Sequence, residues 1–413
     1  MKKIKNISSL LFLAILVLSL FNTPNVKAAD FEISSKTIFT FPTKTVSGYS
    51  LFPITPSFSL TGEQFAFNRL SPTWASSVIY NGKELSDNFL TTYANPIFSP
   101  DGKNFVYFVS YKDNRANAGN YHIIFNGQEY KNYQNVSAAN FVFSGNSQYN
   151  AFPATSNGKM FIVYDKKEKT KYDYVSAPSL SPDGKTLAYS AKNKKDKKTS
   201  LIINDKVVST YQDIKYPIVF STNSSHIAYA VKDTKWSLYV DNKKVSANYD
   251  DIINISVTNS GKYAFIGKKS NSYVANINGK ESKSYISMAG LVISPDEKQS
   301  IFIARKGSNE VAVINGKEGA EYPMFAGGST PAFSPDSKHL VYKTSRFSAD
   351  GKSRIFLLVI DGQEIVANGW YYSGGFHQGN GINSEFSFSP DGSSLIYYSL
   401  KDNNKIVRNE LKF

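Results

Sequence analysis

One short phrase recurs nine times along this chain: an apolar pair, a Ser or Thr, a turn, then an apolar–small–aromatic triplet. Five copies are plain: Ser99-Pro100-Asp101-Gly102-Lys103, Ser181-Pro182-Asp183-Gly184-Lys185, Ser294-Pro295-Asp296, Ser334-Pro335-Asp336 and Ser389-Pro390-Asp391-Gly392. Weaker copies begin at Ser59, Ser144, Ser221 and Thr258. Successive anchors lie 40, 45, 37, 40, 37, 36, 40 and 55 residues apart. A period near forty means one supersecondary unit stacked as an array, since a single unit cannot bury its own apolar face.

The copy between Pro96 and Val142 shows what the unit is. Residues 96–99 read as a short apolar strand and Pro100-Asp101-Gly102-Lys103 as a tight turn. Proline presets φ, Asp bonds the local backbone and Gly accepts positive φ. Residues 105–108 give a second strand and 121–125 a third. Asn126-Gly127 is the strongest short hairpin signal, because both central residues need φ > 0. A fourth strand is expected over 130–136. The second turn recurs at Asn81-Gly82, Asn278-Gly279, Asn315-Gly316 and Asp361-Gly362, with degenerate copies at Asp165, Asn204 and Asp241. Seven residues after its first member stands a tyrosine: Tyr133, Tyr172, Tyr211, Tyr285 and Tyr322, with Tyr249 displaced by one.

The second-strand triplets, such as Leu187-Ala188-Tyr189 and Ile227-Ala228-Tyr229, are apolar at successive positions. Both faces of that strand must therefore be covered. Four-stranded antiparallel sheets stacked radially supply this environment, which makes the chain an all-β propeller. The Phe-Ser-Pro-Asp-Gly-Lys phrase followed by apolar-Ala-Tyr resembles the TolB-type propeller repeat, a relative of the tryptophan-aspartate repeat propellers, over about residues 55–400. That resemblance implies the fold. Members of so broad a group include assembly scaffolds, the propeller halves of peptidases and some lyases. Nine anchors give nine blades, with eight as the alternative if a terminal copy packs irregularly. The last copy has a poor third strand at 405–411, and a segment near residues 36–41 is expected to supply its fourth strand and close the ring.

The chain opens with Lys2, Lys3 and Lys5, an apolar run over 10–21 and the small-residue site Val26-Lys27-Ala28. This reads as a secretory signal peptide over 1–28, followed by a single propeller domain over 29–413. The apolar run is too short for a membrane span. The expected location is outside the cytoplasm: extracellular, wall-associated or periplasmic. The sequence contains no cysteine, which excludes disulfides and thiolate metal sites. The formal charge of +14 includes four leader lysines, leaving about +10 afterwards. Scattered solvated turns account for most of it. Weak attraction to an anionic cell wall is the alternative, and nucleic acid is not expected outside the cell.

Both turn types must emerge on one rim of the ring, leaving unequal connections to the other, where binding residues concentrate. The connection over 367–384 sets Trp370, Tyr371, Tyr372, Phe376 and His377 among glycines. Those residues, with Tyr111 and Arg115 from the 111–120 loop, are the candidate binding set, because amphipathic rings suit sugars and proteins. The 191–199 loop, with five lysines, reads as a solvated hairpin tip. No catalytic, metal or cofactor set is expected. The histidines are four, His226 and His339 hold equivalent repeat positions, and His122 shows no partner. Asp250 and Asp251 point to opposite faces of a strand. The expected function is an exported, non-catalytic propeller binding an envelope protein or a glycan. The alternative is a polysaccharide-active hydrolase or lyase using Asp113, Arg115, His377 and Glu385.

Overall fold

Along the second strands an aromatic side chain follows an alanine or a branched aliphatic one, and this alternation builds the ring. The computed structural model describes residues 32–40, 57–59, 63–70, 76–85, 89–92, 94–111, 122–130, 132–323, 331–366, 386–401 and 405–413. Nine antiparallel blades occupy 57–84, 89–129, 135–168, 174–211, 213–244, 251–281, 288–323, 332–366 and 386–412. They are numbered 1 to 9 in that order. Among the described residues the sole helical element is the 3-10 turn Ala138–Asn140. Blades 1 and 2 merge into one sheet where Ser76 pairs with Phe89.

The nine-blade reading stands, and so does closure by the N-terminal segment. The strand Glu32–Thr40 pairs antiparallel with Lys405–Lys412, longer than the sequence suggested, and completes blade 9 as its outer strand. The fourth strand expected over 130–136 is corrected. In blade 2 it is only Gln128–Glu129, and Asn135–Val136 already belongs to blade 3. The chain leaves the hairpin early because Tyr133 must cross to the next blade. There it packs edge-on against Phe152 and Phe161, each with ring centroids 5.9 Å away.

Successive residues of a second strand face opposite neighbours. Ala188 shares a buried cluster with Tyr229 of blade 5, while Tyr189 shares one with Ala151 of blade 3. The aromatic of one blade thus sits over the small residue of the blade before it. The same pairing joins Phe265 to Ala228 and Phe302 to Ala264. Among the described residues nine buried clusters are found, one for each junction of nine blades. An open arc would have one fewer. The ninth joins Phe58, Phe65 and Phe67 of blade 1 to Ile396, Tyr398 and Ile406 of blade 9, with Phe58 stacked on Tyr398 at 3.4 Å.

The recurrent tyrosine and the Glu three residues after the start of the second turn form a latch between blades. Tyr285, just past blade 6 and bridged back to its Tyr273, donates to Glu318 Oε1 of blade 7 at 3.0 Å, and Tyr322 donates to Glu364 of blade 8 at 3.0 Å. Tyr249 makes the equivalent bond to Glu281. Its ring lies over Gly267, where a Cβ would stand 2.4 Å from the ring, so that glycine is the space the latch occupies.

Candidate functional site

The two rims of the ring differ in how their polar groups are used. At each Ser-Pro-Asp turn, Ser Oγ donates to the Asp two residues on and accepts the N–H five residues on. In blade 4 these bonds are Ser181–Asp183 at 2.6 Å and Thr186–Ser181 at 2.9 Å. The first residue of the second turn then accepts the N–H that opens the second strand. Phe105 donates to Asn126 Oδ1 at 2.8 Å, Leu187 to Asn204 at 2.9 Å and Ser300 to Asn315 at 2.9 Å. Both turns therefore lie on one rim, as expected. Neighbouring turns are also tied to each other. The amides of Asp101, Asp183 and Asp296 donate to Ser147, Ser224 and Ser337 of the following blades at 2.9, 3.0 and 2.9 Å.

His226 and His339 belong to this clamp. Each Nδ1 lies 2.6–2.7 Å from the Asp, Asp241 or Asp361, that replaces Asn at the head of the second turn. They are repeat-position residues, as the sequence indicated. Asp250 and Asp251 also behave as expected, serving separate partners: Lys235 for the first and Lys215 for the second.

The opposite rim carries the connections between second and third strands. Of the candidate binding set, Tyr111 ends the strand Phe105–Tyr111 on this rim, its backbone paired with Phe89. Trp370, Tyr371, Tyr372, Phe376, His377 and Arg115 lie outside the described residues, as do Asp113 and Glu385. The lysine-rich hairpin is held by two carboxylates that accept its backbone N–H groups. Asn193 N–H donates to Asp196 Oδ2 at 2.9 Å, and Lys194 N–H donates to Asp173 Oδ2 at 3.0 Å. The next tip holds Trp236, half-buried, with Lys215 Nζ 5.3 Å and Lys232 Nζ 5.9 Å from its ring centroid. Sequence reasoning passed over Trp236. Its signal was a tryptophan between lysines at a hairpin end.

Three further arrangements were not read from the sequence. His122 does have a partner: its Nδ1 lies 2.5 Å from Glu129 Oε1, which corrects the expectation. The two residues flank the Asn126-Gly127 turn, and hairpin register puts them on one face, so the pairing was recoverable. Beside them, between blades 2 and 3, a groove of about 510 Å³ is lined by Phe125, Gln128, Glu129, Tyr130, Tyr133, Lys166 and Glu168. Its aromatic walls and polar ends could hold a small polar ligand. Burial, then Glu168, pushes the Tyr133 hydroxyl up to about 12, so this phenol acts as a donor rather than a base at neutral pH. Finally, Lys343 is buried between blades 8 and 9, where other blades place Phe108, Ala230 or Ile303. Burial pushes its ammonium down to about 8. Among the described residues no group of three or more His, Asp or Glu side chains is placed to hold a metal ion.

No model of a known protein family matches this chain, and no curated protein sequence does. Solved structures do match. A eukaryotic initiation factor is similar at 14% identity and a TM-score of 0.51, covering 81% of this chain and 95% of that one. This likeness concerns the fold alone. The β-propeller domain of the Trilobed protease from Pyrococcus furiosus matches at 12% identity over 67% of this chain and 96% of that one, with a TM-score of 0.38. TolB from Acinetobacter baumannii matches at 14% identity over 66% and 62%, with a TM-score of 0.31. At these two scores nothing is argued from the likeness, and the propeller assignment stands on the blades themselves.

Proposed function

We propose that this chain is an exported, non-catalytic binding propeller with TolB-type repeats. It recognises a protein or glycan partner through the rim opposite its hairpin turns. One observation carries the reading: the unequal division of polar groups between the rims. On the turn rim the Ser, Asp and Asn side chains are spent on the ring's own backbone and on neighbouring turns. The connections of the other rim vary in length and composition while the scaffold beneath them stays constant, the usual arrangement for recognition on a rigid support. The aromatic connection over 367–384 is the centre of the proposed surface, with Tyr111 and Arg115 beside it.

The test is the double variant Trp370→Ala/Tyr371→Ala, compared with wild type on a glycan array and by affinity capture from envelope extract. Binding should disappear while the melting temperature moves by less than about 2 °C, as for surface changes away from the core. A fall of more than about 5 °C would make the connection structural and remove it from recognition.

A further inference from the structure

At the junction of blades 2 and 3 the repeat departs from its own pattern twice. Each second turn is flanked by the residue before its first member and the residue four after it. These are Ile277 and Ser282 in blade 6, Ile314 and Gly319 in blade 7, and Ile360 and Ile365 in blade 8. Blade 2 alone sets aromatics at both positions, Phe125 and Tyr130, with ring centroids 5.8 Å apart and planes at 61°. The second departure lies behind Tyr130. Where blades 2, 4, 5 and 8 open their second strands with Phe105, Leu187, Ile227 and Leu340, blade 3 has Asn150, only 6% exposed. Asn150 Nδ2 donates to the Tyr130 hydroxyl at 3.4 Å, and Asn150 Oδ1 is buried with no hydrogen-bond partner among the described residues. A polar group buried in this way is unfavourable unless something uses it. Here it holds the Tyr130 hydroxyl as an acceptor, which leaves that hydroxyl its own proton to donate.

Tyr130 lines the groove of about 510 Å³ between the two blades, a volume within the range of small-molecule sites. Gln128 and Glu129 stand on the blade 2 side, Lys166 and Glu168 on the blade 3 side. The carboxylates are already set by basic partners. Glu129 Oε1 lies 2.5 Å from His122 Nδ1, and Glu168 Oε2 lies 3.6 Å from Lys171 Nζ. Lys166 Nζ lies 5.8 Å from the Tyr130 ring centroid. Donors and acceptors of both signs therefore surround an apolar wall, and this mixture selects the ligand. A cation would meet Lys166, an anion would meet Glu129 and Glu168, and a wholly apolar molecule would leave all of these groups desolvated. A neutral ring with an apolar face and hydroxyls that both donate and accept satisfies them together, which is the chemistry of a pyranose.

We propose that this groove is a binding site for a neutral glycan, with a sugar ring against Phe125 and Tyr130 and its hydroxyls shared among Gln128, Glu129, Lys166 and Glu168. The site is built from the second-turn hairpins of two adjacent blades, away from the connections between second and third strands. It goes beyond the recognition surface proposed above and does not depend on it.

The experiment titrates the full chain by calorimetry with cellobiose, maltose and N,N′-diacetylchitobiose as neutral probes. Chitobiose with free amines and digalacturonate serve as the cationic and anionic controls. At least one neutral disaccharide should bind about tenfold or more tightly than either control. Tyr130→Ala, which removes the platform, and Glu129→Gln, which keeps the shape and removes the charged acceptor, should each weaken that binding about tenfold or more. Glu129 is exposed, so Glu129→Gln should move the melting temperature by less than about 2 °C and keeps the test sound if Tyr130→Ala fails to fold. Trp370→Ala/Tyr371→Ala should leave this binding within about twofold, since the two sites share no residue. Absence of binding by every neutral probe, or preference for either charged control, would overturn the proposal. So would neutral binding that persists in Glu129→Gln and Tyr130→Ala and disappears in Trp370→Ala/Tyr371→Ala, an outcome that would move the sugar to the opposite rim.

Discussion

At the scale of single residues, the latch between blades joins stability to pH. Glu318 receives Lys283 at 2.6 Å and the Tyr285 hydroxyl at 3.0 Å. Lys283 first, and Tyr285 next, hold its carboxyl down at about 2. Burial, and then the bond to Glu318, push the Tyr285 hydroxyl up to about 12. The signs follow from which form each partner favours. A carboxyl depressed on folding adds stability above its unfolded value, near 4.3, and loses it as pH falls toward 2. A phenol raised on folding adds stability below about 10 and loses it as pH climbs toward 12. Glu318→Gln should therefore flatten the acid limb of a urea-midpoint profile between about pH 5 and 2 relative to wild type. Tyr285→Phe should lower stability by about 1 kcal/mol at neutral pH, as for one net hydrogen bond. An unchanged acid limb in Glu318→Gln would show that the latch carries no linkage.

At the scale of the element, the two turns fix each hairpin pair, and the clamp between them is open to substitution. Asn315 has φ +51° and its Oδ1 accepts the N–H of Ser300. Asp fills the same position at Asp165, Asp241 and Asp361, each with positive φ. Asn315→Asp should accordingly cost little, whereas Asn315→Ala loses the acceptor and strains the left-handed backbone, about 2 kcal/mol in a denaturant melt. Equal costs would mean that neither the clamp nor the left-handed backbone sets stability here. These turns were legible because their chemistry is local: proline fixes φ, Gly and Asn accept positive φ, and Ser and Asp bond within five residues. The apolar–small–aromatic triplet was legible as a strand covered on both faces, but not as Tyr229 over Ala188, which needs the next blade. The same limit explains the misplaced fourth strand, since what ends it is Tyr133 leaving to reach Phe152. The lysines of 192–198 were visible as a charged tip, and the hold of Asp173 on the Lys194 N–H was not, because Asp173 reaches the rim from another connection. The aromatic composition of 367–384 was plain in the sequence, and its assignment to recognition stays a proposal to be tested by Trp370→Ala/Tyr371→Ala.

At the scale of the molecule, a ring of nine blades depends on one unusual joint. Eight junctions join blades continuous in sequence, while the ninth needs Glu32–Thr40 to pair with Lys405–Lys412. This seam removes the exposed edge that the last strand would otherwise present to other chains. It also keeps turns on one rim and connections on the other around the full circle, so the proposed recognition surface depends on it. Within the seam, Ser35 is directly opposite Asn409, and Ser35 Oγ donates to Asn409 Oδ1 at 2.7 Å across 374 residues of sequence. The chain has no native cysteine, so a pair introduced there reports without competition. The most direct measurement is oxidation of Ser35→Cys/Asn409→Cys at low protein concentration, read by non-reducing gel and peptide mapping. A closed ring predicts an intramolecular bond between residues 35 and 409 in nearly every molecule and a higher urea midpoint than in the reduced form. Free thiols after oxidation, or bonds formed only between molecules, would contradict the closed ring and with it the division of the rims.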